Sequence, residues 1–442
     1  MPYIYFRKII LVSILSFCSS FIFGQDLVSE IEPFLGAVYG QVNCYDNDSH
    51  SIYPTNYYTP NHYAPGCVAI SFVTMMEYYQ WPNKGTGIHQ NIDSHGNSTG
   101  TYVVNYDEAS YDWNLILPRY HYMTSTEAEQ EQLGKLTYGA AIALNMEFEN
   151  TGSTSNVNRI PNAGKDYFSY MSVYKSYTSP SFWASLDSNI VHHLPVTLAI
   201  DAPNGAGHSC VIDGMRTYSD GSTSYHLNLG WWGDVNGWYD IRSGWNAGGY
   251  TSITGGVFDF LPKPYMAKPV KLNEDNIYLL EWEMSSEVVV EEYELRRKIN
   301  TGLWHTLATD ALATSLEVQV GVFDDYFFEI RAKIDGKWYL NGWSNQVKAE
   351  ETLVATENLT ADDFSIYPNP SIDNLNIELA ENWIGQDVKV NIFSLDGRQL
   401  STTQLKAAAH KIVVPCAPLS PGLYLVELQA NKQYFRLKMV KG

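Results

Sequence analysis

The spacing of apolar residues changes along this chain, and that change limits the folds the sequence can adopt. Up to about residue 262, helical spacing comes first and alternating, strand-like spacing follows. Beyond that point the sequence consists of short stretches in which apolar and polar residues alternate, and turn residues separate these stretches. A chain of 442 residues is also too long to fold around a single hydrophobic core of ordinary size. We therefore expect an α+β domain over residues 26–262, followed by two small β-sandwich domains.

The α+β segment has recognisable helix signals. The apolar positions of Val68–Tyr79 predict a helix that begins near Gly66. A second helix is predicted over Thr126–Leu144, with Ser125 or Thr126 as N-cap and Glu129 placed for a capping box. The predicted strands are Pro195–Ile200, Ser209–Gly214, Ser224–Leu229 and Trp238–Ile241.

The first residues have the pattern of an export signal. Arg7 and Lys8 precede the apolar run Ile9–Phe17, and small residues follow up to Gly24. We expect residues 1–24 to be a signal peptide. The run is shorter than the roughly 20 apolar residues of a spanning helix, and no other stretch approaches that length, so no transmembrane segment is predicted.

Charge and cysteine content exclude several classes of function. The formal net charge of −20 disfavours binding to nucleic acid or to anionic membranes. Beyond the predicted signal peptide, Cys44, Cys67, Cys210 and Cys416 are too few for a disulfide scaffold in so long a chain. An unpaired thiol in an exported protein therefore needs a chemical explanation.

Cys67 follows Pro65 and Gly66 at the predicted start of a helix. The N–H groups and the dipole at a helix N-terminus favour an anion, so we expect a lowered pKa for this thiol. A thiolate is the reactive form of cysteine, which makes Cys67 a candidate nucleophile. The alternative for Cys67 alone is a buried cysteine that acts as a small apolar residue.

A candidate base lies at the mouth of a later strand. His208 follows Gly207 in the segment Gly205–Gly214, and its imidazole suits proton exchange with a thiol. The separation of 208 − 67 = 141 residues matches the interval at which a papain-like fold brings Cys and His together. The next strand carries Asn228, whose amide we expect to hold the second imidazole nitrogen in a Cys-His-Asn arrangement.

Four ordered motifs over residues 36–262 resemble the streptopain family of papain-like cysteine peptidases. They are Pro65–Ala69, Met75–Gly85, Tyr111–Pro118 and Gly207–Gly214. The resemblance implies that Cys67 is the nucleophile and His208 the base, with the Cys67 N–H as one oxyanion donor. It also implies a second donor, Gln41 or its rival Asn61, and a substrate cleft lined by Trp231 and Gly207. It implies protein substrates and neither metal nor organic cofactor.

Two features depart from the family pattern. Leu229 stands where the family usually has a tryptophan that supports the catalytic histidine, which puts efficiency and even activity in question. The segment before Cys67 already resembles the mature domain, so a long inhibitory propeptide is missing, and control is expected from elsewhere, such as a separate inhibitor protein or folding after export.

The rest of the chain predicts two β-rich domains. Residues 265–349 resemble a fibronectin type III domain, most of all in Trp282 and Tyr326–Ala332. Residues 350–363 are polar and acidic and are predicted to be a linker. Residues 364–442 resemble the C-terminal sorting domain of type IX secretion. Its matching features are Tyr367–Pro370, Asp396-Gly397, Gly422–Tyr424 and the basic tail Lys438–Lys441.

These observations together predict a secreted or cell-surface cysteine endopeptidase of a Gram-negative bacterium, exported through the periplasm. Its expected partners are protein or peptide substrates and the type IX secretion machinery. The alternative is a catalytically weak or inactive surface protein that binds host or matrix ligands through its β-sandwiches, and Leu229 is the feature that supports it.

Overall fold

A computed structural model describes residues 26–442 except 43, 46–50, 95–97, 273–275, 311–312, 322–323, 350–363, 380, 395–398 and 431–432. The predicted signal peptide, the predicted linker and the Asp396-Gly397 turn therefore lie outside the described residues. The chain divides into two compact units, with the division between Ala349 and Glu350.

The first part of the N-terminal unit is an α+β domain. Its helices are α1 (Cys67–Tyr79), α2 (Glu127–Ala143), α3 (Ile160–Tyr167) and α4 (Phe182–Val191), with 3-10 turns at Pro60–His62 and Val157–Arg159. Its strands are β1 (Leu27–Ile31), β2 (Cys44–Tyr45), β3 (Ser51–Ile52), β4 (Ile88–Asp93), β5 (Gly100–Asn105), β6 (Tyr170–Ser176), β7 (Val196–Asp201), β8 (Gly207–Tyr218), β9 (Thr223–Asn228), β10 (Gly237–Tyr239) and β11 (Ser252–Pro262).

An antiparallel sheet is the centre of this domain. Its strands lie in the order β10-β9-β8-β7-β11-β6, and β1 pairs with the far end of β8. Strand β8 contacts β7 on one side and β9 on the other, so the predicted histidine strand is central in the sheet. The two predicted helices and the four predicted strands are present, with ends shifted by a few residues. The predicted order of helices first and strands later is wrong, because α3 and α4 lie between strands.

Helix α1 begins where only glycine fits the chain. Gly66 has a φ of +88°, and a Cβ atom there would lie 2.5 Å from the Met146 sulfur. The helix is buried on nearly all sides, and Phe72 packs edge-to-face on Phe168 and Phe260. These contacts fix the helix end that carries Cys67 against the sheet.

The second part of the N-terminal unit is a β-sandwich. One sheet contains β12 (Tyr265–Met266), β13 (Val270–Lys271), β14 (Ile277–Glu283) and β17 (Ser315–Gln319). The other contains β15 (Glu292–Ile299), β16 (Trp304–Asp310), β18 (Tyr326–Ile334), β19 (Lys337–Trp338) and β20 (Val347–Ala349). The hydroxyl of Ser285 in the sandwich donates a hydrogen bond to the main-chain carbonyl of Tyr79, the last residue of α1.

The C-terminal unit is a second sandwich with its own core. One sheet holds β21 (Ser365–Tyr367), β22 (Asn374–Glu378) and β25 (Lys411–Pro415). The other holds β23 (Val388–Ser394), β24 (Gln399–Leu405), β26 (Gly422–Ala430) and β27 (Gln433–Lys441), and a 3-10 turn lies at Glu381–Trp383. In the described part of the chain, we find no helix long and apolar enough to cross a membrane.

Helix α2 begins with the predicted capping box, and Thr126 is the N-cap. The Thr126 hydroxyl accepts from the Glu129 N–H, and the Glu129 carboxylate accepts from the Thr126 N–H. We expect Thr126→Ala to lower the free energy of unfolding by about 1 kcal/mol, because the helix loses a side-chain cap. Chemical denaturation measures this change. Thr124→Ala is the matched control, and an equal loss in both variants would contradict the capping account.

Candidate active site

Cys67 is the first residue of α1 and is half-buried. Burial raises the pKa of its thiol, and the backbone N–H groups of Ser209, Val68 and Cys67 itself oppose that effect by lowering it. Burial is the larger influence, so the pKa lies above the ordinary value. The expectation of a lowered pKa from the helix start alone is therefore wrong for the protein without substrate.

His208 is the second residue of β8, and only 7% of it is exposed. Its Nε2 lies 2.8 Å from the Leu229 carbonyl oxygen. A carbonyl can only accept, so Nε2 carries the proton and Nδ1 keeps its lone pair in the neutral ring. Burial lowers the pKa of His208 to about 4, although the Leu229 hydrogen bond opposes this. The imidazole is thus a neutral acceptor at pH 7.

Packing of α1 on β8 brings the segments that carry Cys67 and His208 together. The N–H of Ser209, the residue after His208, reaches the Cys67 thiol. One turn further along α1, the Ser71 hydroxyl accepts a hydrogen bond of 2.8 Å from the Ser209 hydroxyl. Cys67 and His208, which are 141 residues apart in sequence, therefore lie on neighbouring elements that are joined by hydrogen bonds.

Two aromatic rings contact the imidazole of His208. Trp231 lies 4.8 Å from it between ring centroids, at an interplanar angle of 31°. Tyr250 lies 4.9 Å away at 27°. These rings exclude water from the imidazole and restrict its rotation. Tyr250 was not expected from the sequence, because it lies in an irregular segment with no periodic signal.

The structure contradicts the expected role of Asn228. Its Nδ2 donates to the Ala37 carbonyl at 2.8 Å, and its Oδ1 accepts from the Gly230 N–H at 3.2 Å. Both ends of the amide are therefore bonded to main-chain groups, and the His208 ring bonds to Leu229 instead. Asn228 contributes to the position of His208 indirectly, because it holds the turn that carries the Leu229 carbonyl.

The same turn contains Leu229, which stands where the streptopain family usually has a tryptophan. Leu229 supplies a main-chain carbonyl to His208, and its own N–H donates to Asn236 Oδ1 at 2.8 Å. Gly230 has a φ of +71°, and a Cβ there would lie 3.0 Å from Ile70. The hydrogen bond to His208 thus depends on backbone geometry and not on the identity of the side chain at 229.

A cavity of about 660 Å³ lies beside Trp231. It is lined by Gln41, Val42, Cys44, Tyr53, Asn56, His62, Tyr63, Ala64, Asn150, Thr151, Gly152, Trp231, Trp232 and Asp234.

Of the two candidate oxyanion donors, Gln41 lines this cavity and Asn61 does not. Gly40, directly before Gln41, forms a β-bridge with Trp231, and the Thr55 hydroxyl donates to the Gly40 carbonyl at 2.7 Å. Gln41 is therefore held at the cavity. Asn61 is exposed and is absent from the cavity lining.

Gly207 lies outside the cavity lining, and the described residues hold no metal-binding cluster. Gly207 is exposed at the start of β8 and does not line the 660 Å³ cavity. Within the described ranges, no group of three or more His, Cys, Asp or Glu side chains is arranged to hold a metal ion. The free cysteines in those ranges are Cys44, Cys67, Cys210 and Cys416.

Two segments of the chain match known protein families. Residues 39–239 match the peptidase C10 family, and residues 365–441 match the secretion system C-terminal sorting domain. Residues 39–239 form a peptidase C10 family domain. The C-terminal unit is a type IX secretion sorting domain, which confirms the predicted location outside the cell or at its surface.

Individual relatives agree with this assignment. Streptopain from Streptococcus pyogenes is 28% identical over 218 residues, which cover 46% of this chain and 53% of the relative. The thiol protease/hemagglutinin PrtT from Porphyromonas gingivalis is 27% identical over 177 residues, 39% of this chain and 20% of the relative. The chain therefore spans about half the length of the streptopain relatives that it matches.

A solved structure is also similar. It is that of active wild-type interpain A, a cysteine protease from Prevotella intermedia, which is 22% identical to this chain. The match covers 53% of this chain and 96% of the interpain A chain, with a TM-score of 0.44. The family match confirms the predicted streptopain resemblance and the α+β fold class. The fibronectin type III likeness of residues 265–349 stays a prediction.

The pKa of His208 has a measurable consequence. Its value of about 4 in the folded protein is below the ordinary 6.5, so the fold favours the neutral ring. This contribution is complete above pH 6.5 and is lost as pH falls toward 4, by roughly 3 kcal/mol. NMR of ¹⁵N-labelled imidazoles should show one histidine titrating near pH 4, and that signal should be missing in His208→Gln. The variant should also lose less stability over this range. Titration of His208 near 6.5 would contradict the assignment.

Proposed function

We propose that this protein is a secreted cysteine endopeptidase with Cys67 as nucleophile and His208 as general base and acid. One observation carries the proposal: the Leu229 carbonyl fixes His208 in the tautomer whose free nitrogen can accept a proton, and the N–H of the next residue, Ser209, reaches the Cys67 thiol at a helix start. The peptidase C10 match supports the reaction class.

Catalysis begins when His208 Nδ1 takes the proton from the Cys67 thiol. The sulfur attacks the scissile carbonyl carbon, and the tetrahedral intermediate collapses to a thioester while His208 returns the proton to the leaving amine. Water, deprotonated by the same imidazole, then hydrolyses the thioester and regenerates the thiol. This sequence requires protein or peptide substrates and no cofactor.

Charge that develops on the carbonyl oxygen needs preorganised donors. The Cys67 N–H is one donor, since the first turn of a helix leaves its N–H groups without partners in the helix. The Gln41 side chain is the second, because it lies at the cavity on a segment held to Trp231. Gln41 and Trp231 both line this cavity, which we assign to the substrate cleft.

The aromatic rings around His208 aid its change of charge. The neutral pair is favoured before substrate binds, because burial raises the pKa of Cys67 and lowers that of His208. As the thiol gives up its proton, the imidazolium is stabilised by the Leu229 carbonyl and by the faces of Trp231 and Tyr250. The ring contacts therefore help most when the charge is present.

Hydrolysis of an unfolded protein under reducing conditions tests the proposal. We expect Cys67→Ala to lower kcat/KM by about 10³-fold or more, because the attacking atom is removed. Cys416→Ala is the matched control, since this cysteine lies in the C-terminal unit. If wild type cleaves no peptide bond while folded, the chain is better explained as a binding protein of the cell surface.

We also propose that the C-terminal unit delivers the enzyme to the type IX secretion machinery. The unit has a separate core of its own over residues 364–442, which suits a domain recognised apart from the peptidase. Protein that lacks this unit would keep its export signal and its peptidase fold.

Deletion of residues 364–442 in the native host tests this second proposal. We expect the shortened protein to accumulate in the periplasm, because the sorting domain is removed. Cell fractionation with an antibody to the peptidase domain measures the distribution, and full-length Cys67→Ala, which keeps the C-terminal unit unchanged, serves as the control. Release equal to that of wild type would show that the unit is not the sorting signal.

A further inference from the structure

The cavity beside Trp231 combines aromatic walls with one carboxylate. Its aromatic side chains include Tyr53, Tyr63, Trp231 and Trp232, and Asp234 also lines it. Among its described lining residues there is no lysine or arginine and no other carboxylate. Aromatic faces attract cations and cover aliphatic stems, while a carboxylate attracts a positive head group.

Asp234 is available to a ligand. Its side chain is exposed, and no donor among the described residues bonds to its carboxylate. Its main-chain N–H donates to the Trp231 carbonyl at 3.0 Å, which fixes the loop close to Trp231. His62, the cavity's histidine, already uses Nδ1 in a 3.0 Å hydrogen bond to the Asn56 carbonyl.

The position of Asp234 indicates which part of a substrate it meets. Trp231 contacts the ring of His208, the group that in the proposed function returns a proton to the leaving amine. The turn from Trp231 to Asp234 therefore lies on the leaving-group side of the scissile bond.

We propose that Asp234 is a specificity-determining residue that selects a basic side chain within the first two residues after the scissile bond. The stem of the arginine or lysine lies on Trp231 and Trp232, and its cationic head group pairs with Asp234. This inference rests on the proposed peptidase function and adds a substrate class to it.

Peptides that differ only in charge test the selection. Matched quenched fluorescent peptides carry arginine, citrulline or glutamate at the first or second position after the scissile bond. Citrulline keeps the shape of arginine without its charge. Because Asp234 is exposed, we expect wild type to prefer arginine over citrulline by about 3- to 10-fold in kcat/KM. The preference should shrink as salt concentration rises.

Variants at this position separate specificity from folding and from catalysis. Asp234→Asn should remove the arginine preference and leave cleavage of the citrulline peptide within about twofold. Asp234→Lys should favour glutamate. Glu32→Gln, an exposed carboxylate outside the cavity, is the control and should keep the wild-type ratio.

Three outcomes would overturn the inference. If the ratio of kcat/KM for the arginine peptide to kcat/KM for the citrulline peptide is the same in wild type and in Asp234→Asn, the carboxylate does not select charge. Cleavage of the citrulline peptide would in that case leave the peptidase proposal intact. A preference that follows the residue before the scissile bond would contradict the placement of Asp234. Absence of all cleavage by folded wild type would contradict both proposals.

Discussion

The hydrogen bond from His208 Nε2 to the Leu229 carbonyl is the interaction on which the candidate site depends. Because a carbonyl cannot donate, this bond determines which imidazole nitrogen is free to accept a proton. It also holds the ring against Trp231 and Tyr250. Without it, Cys67 would lie at the helix start beside a base whose tautomer and orientation were undetermined.

The surrounding structure serves to keep that carbonyl in place. Asn228 ties the turn to the Ala37 main chain, and Asn236 accepts from the Leu229 N–H. The burial that orders this turn also lowers the pKa of His208 and raises that of Cys67, so the pair is neutral at rest. In the proposed mechanism the site relies on preorganised hydrogen bonds, and charge forms when a substrate is attacked.

Local sequence signals predicted the helices and strands well. They predicted poorly the properties that depend on contacts between distant parts of the chain. Gly66 and the spacing after it correctly place the start of α1, and Thr126 with Glu129 correctly places α2. The Asn228 role was wrong because an amide's partner is set by the path of the turn, which the sequence does not show. The thiol pKa was wrong because desolvation comes from the packing of distant elements. Tyr250 gave no signal, since it reaches His208 from an irregular segment.

The most direct test of the Cys67–His208 pair is to map which cysteine reacts with a thiol-directed epoxide inhibitor in the folded protein. Cys44, Cys67, Cys210 and Cys416 are all free thiols, so mass spectrometry can compare them within one sample. The account predicts rapid modification of Cys67 and a large loss of that rate in His208→Ala. Modification of Cys67 at the same rate in the variant, or labelling of another cysteine instead, would contradict it.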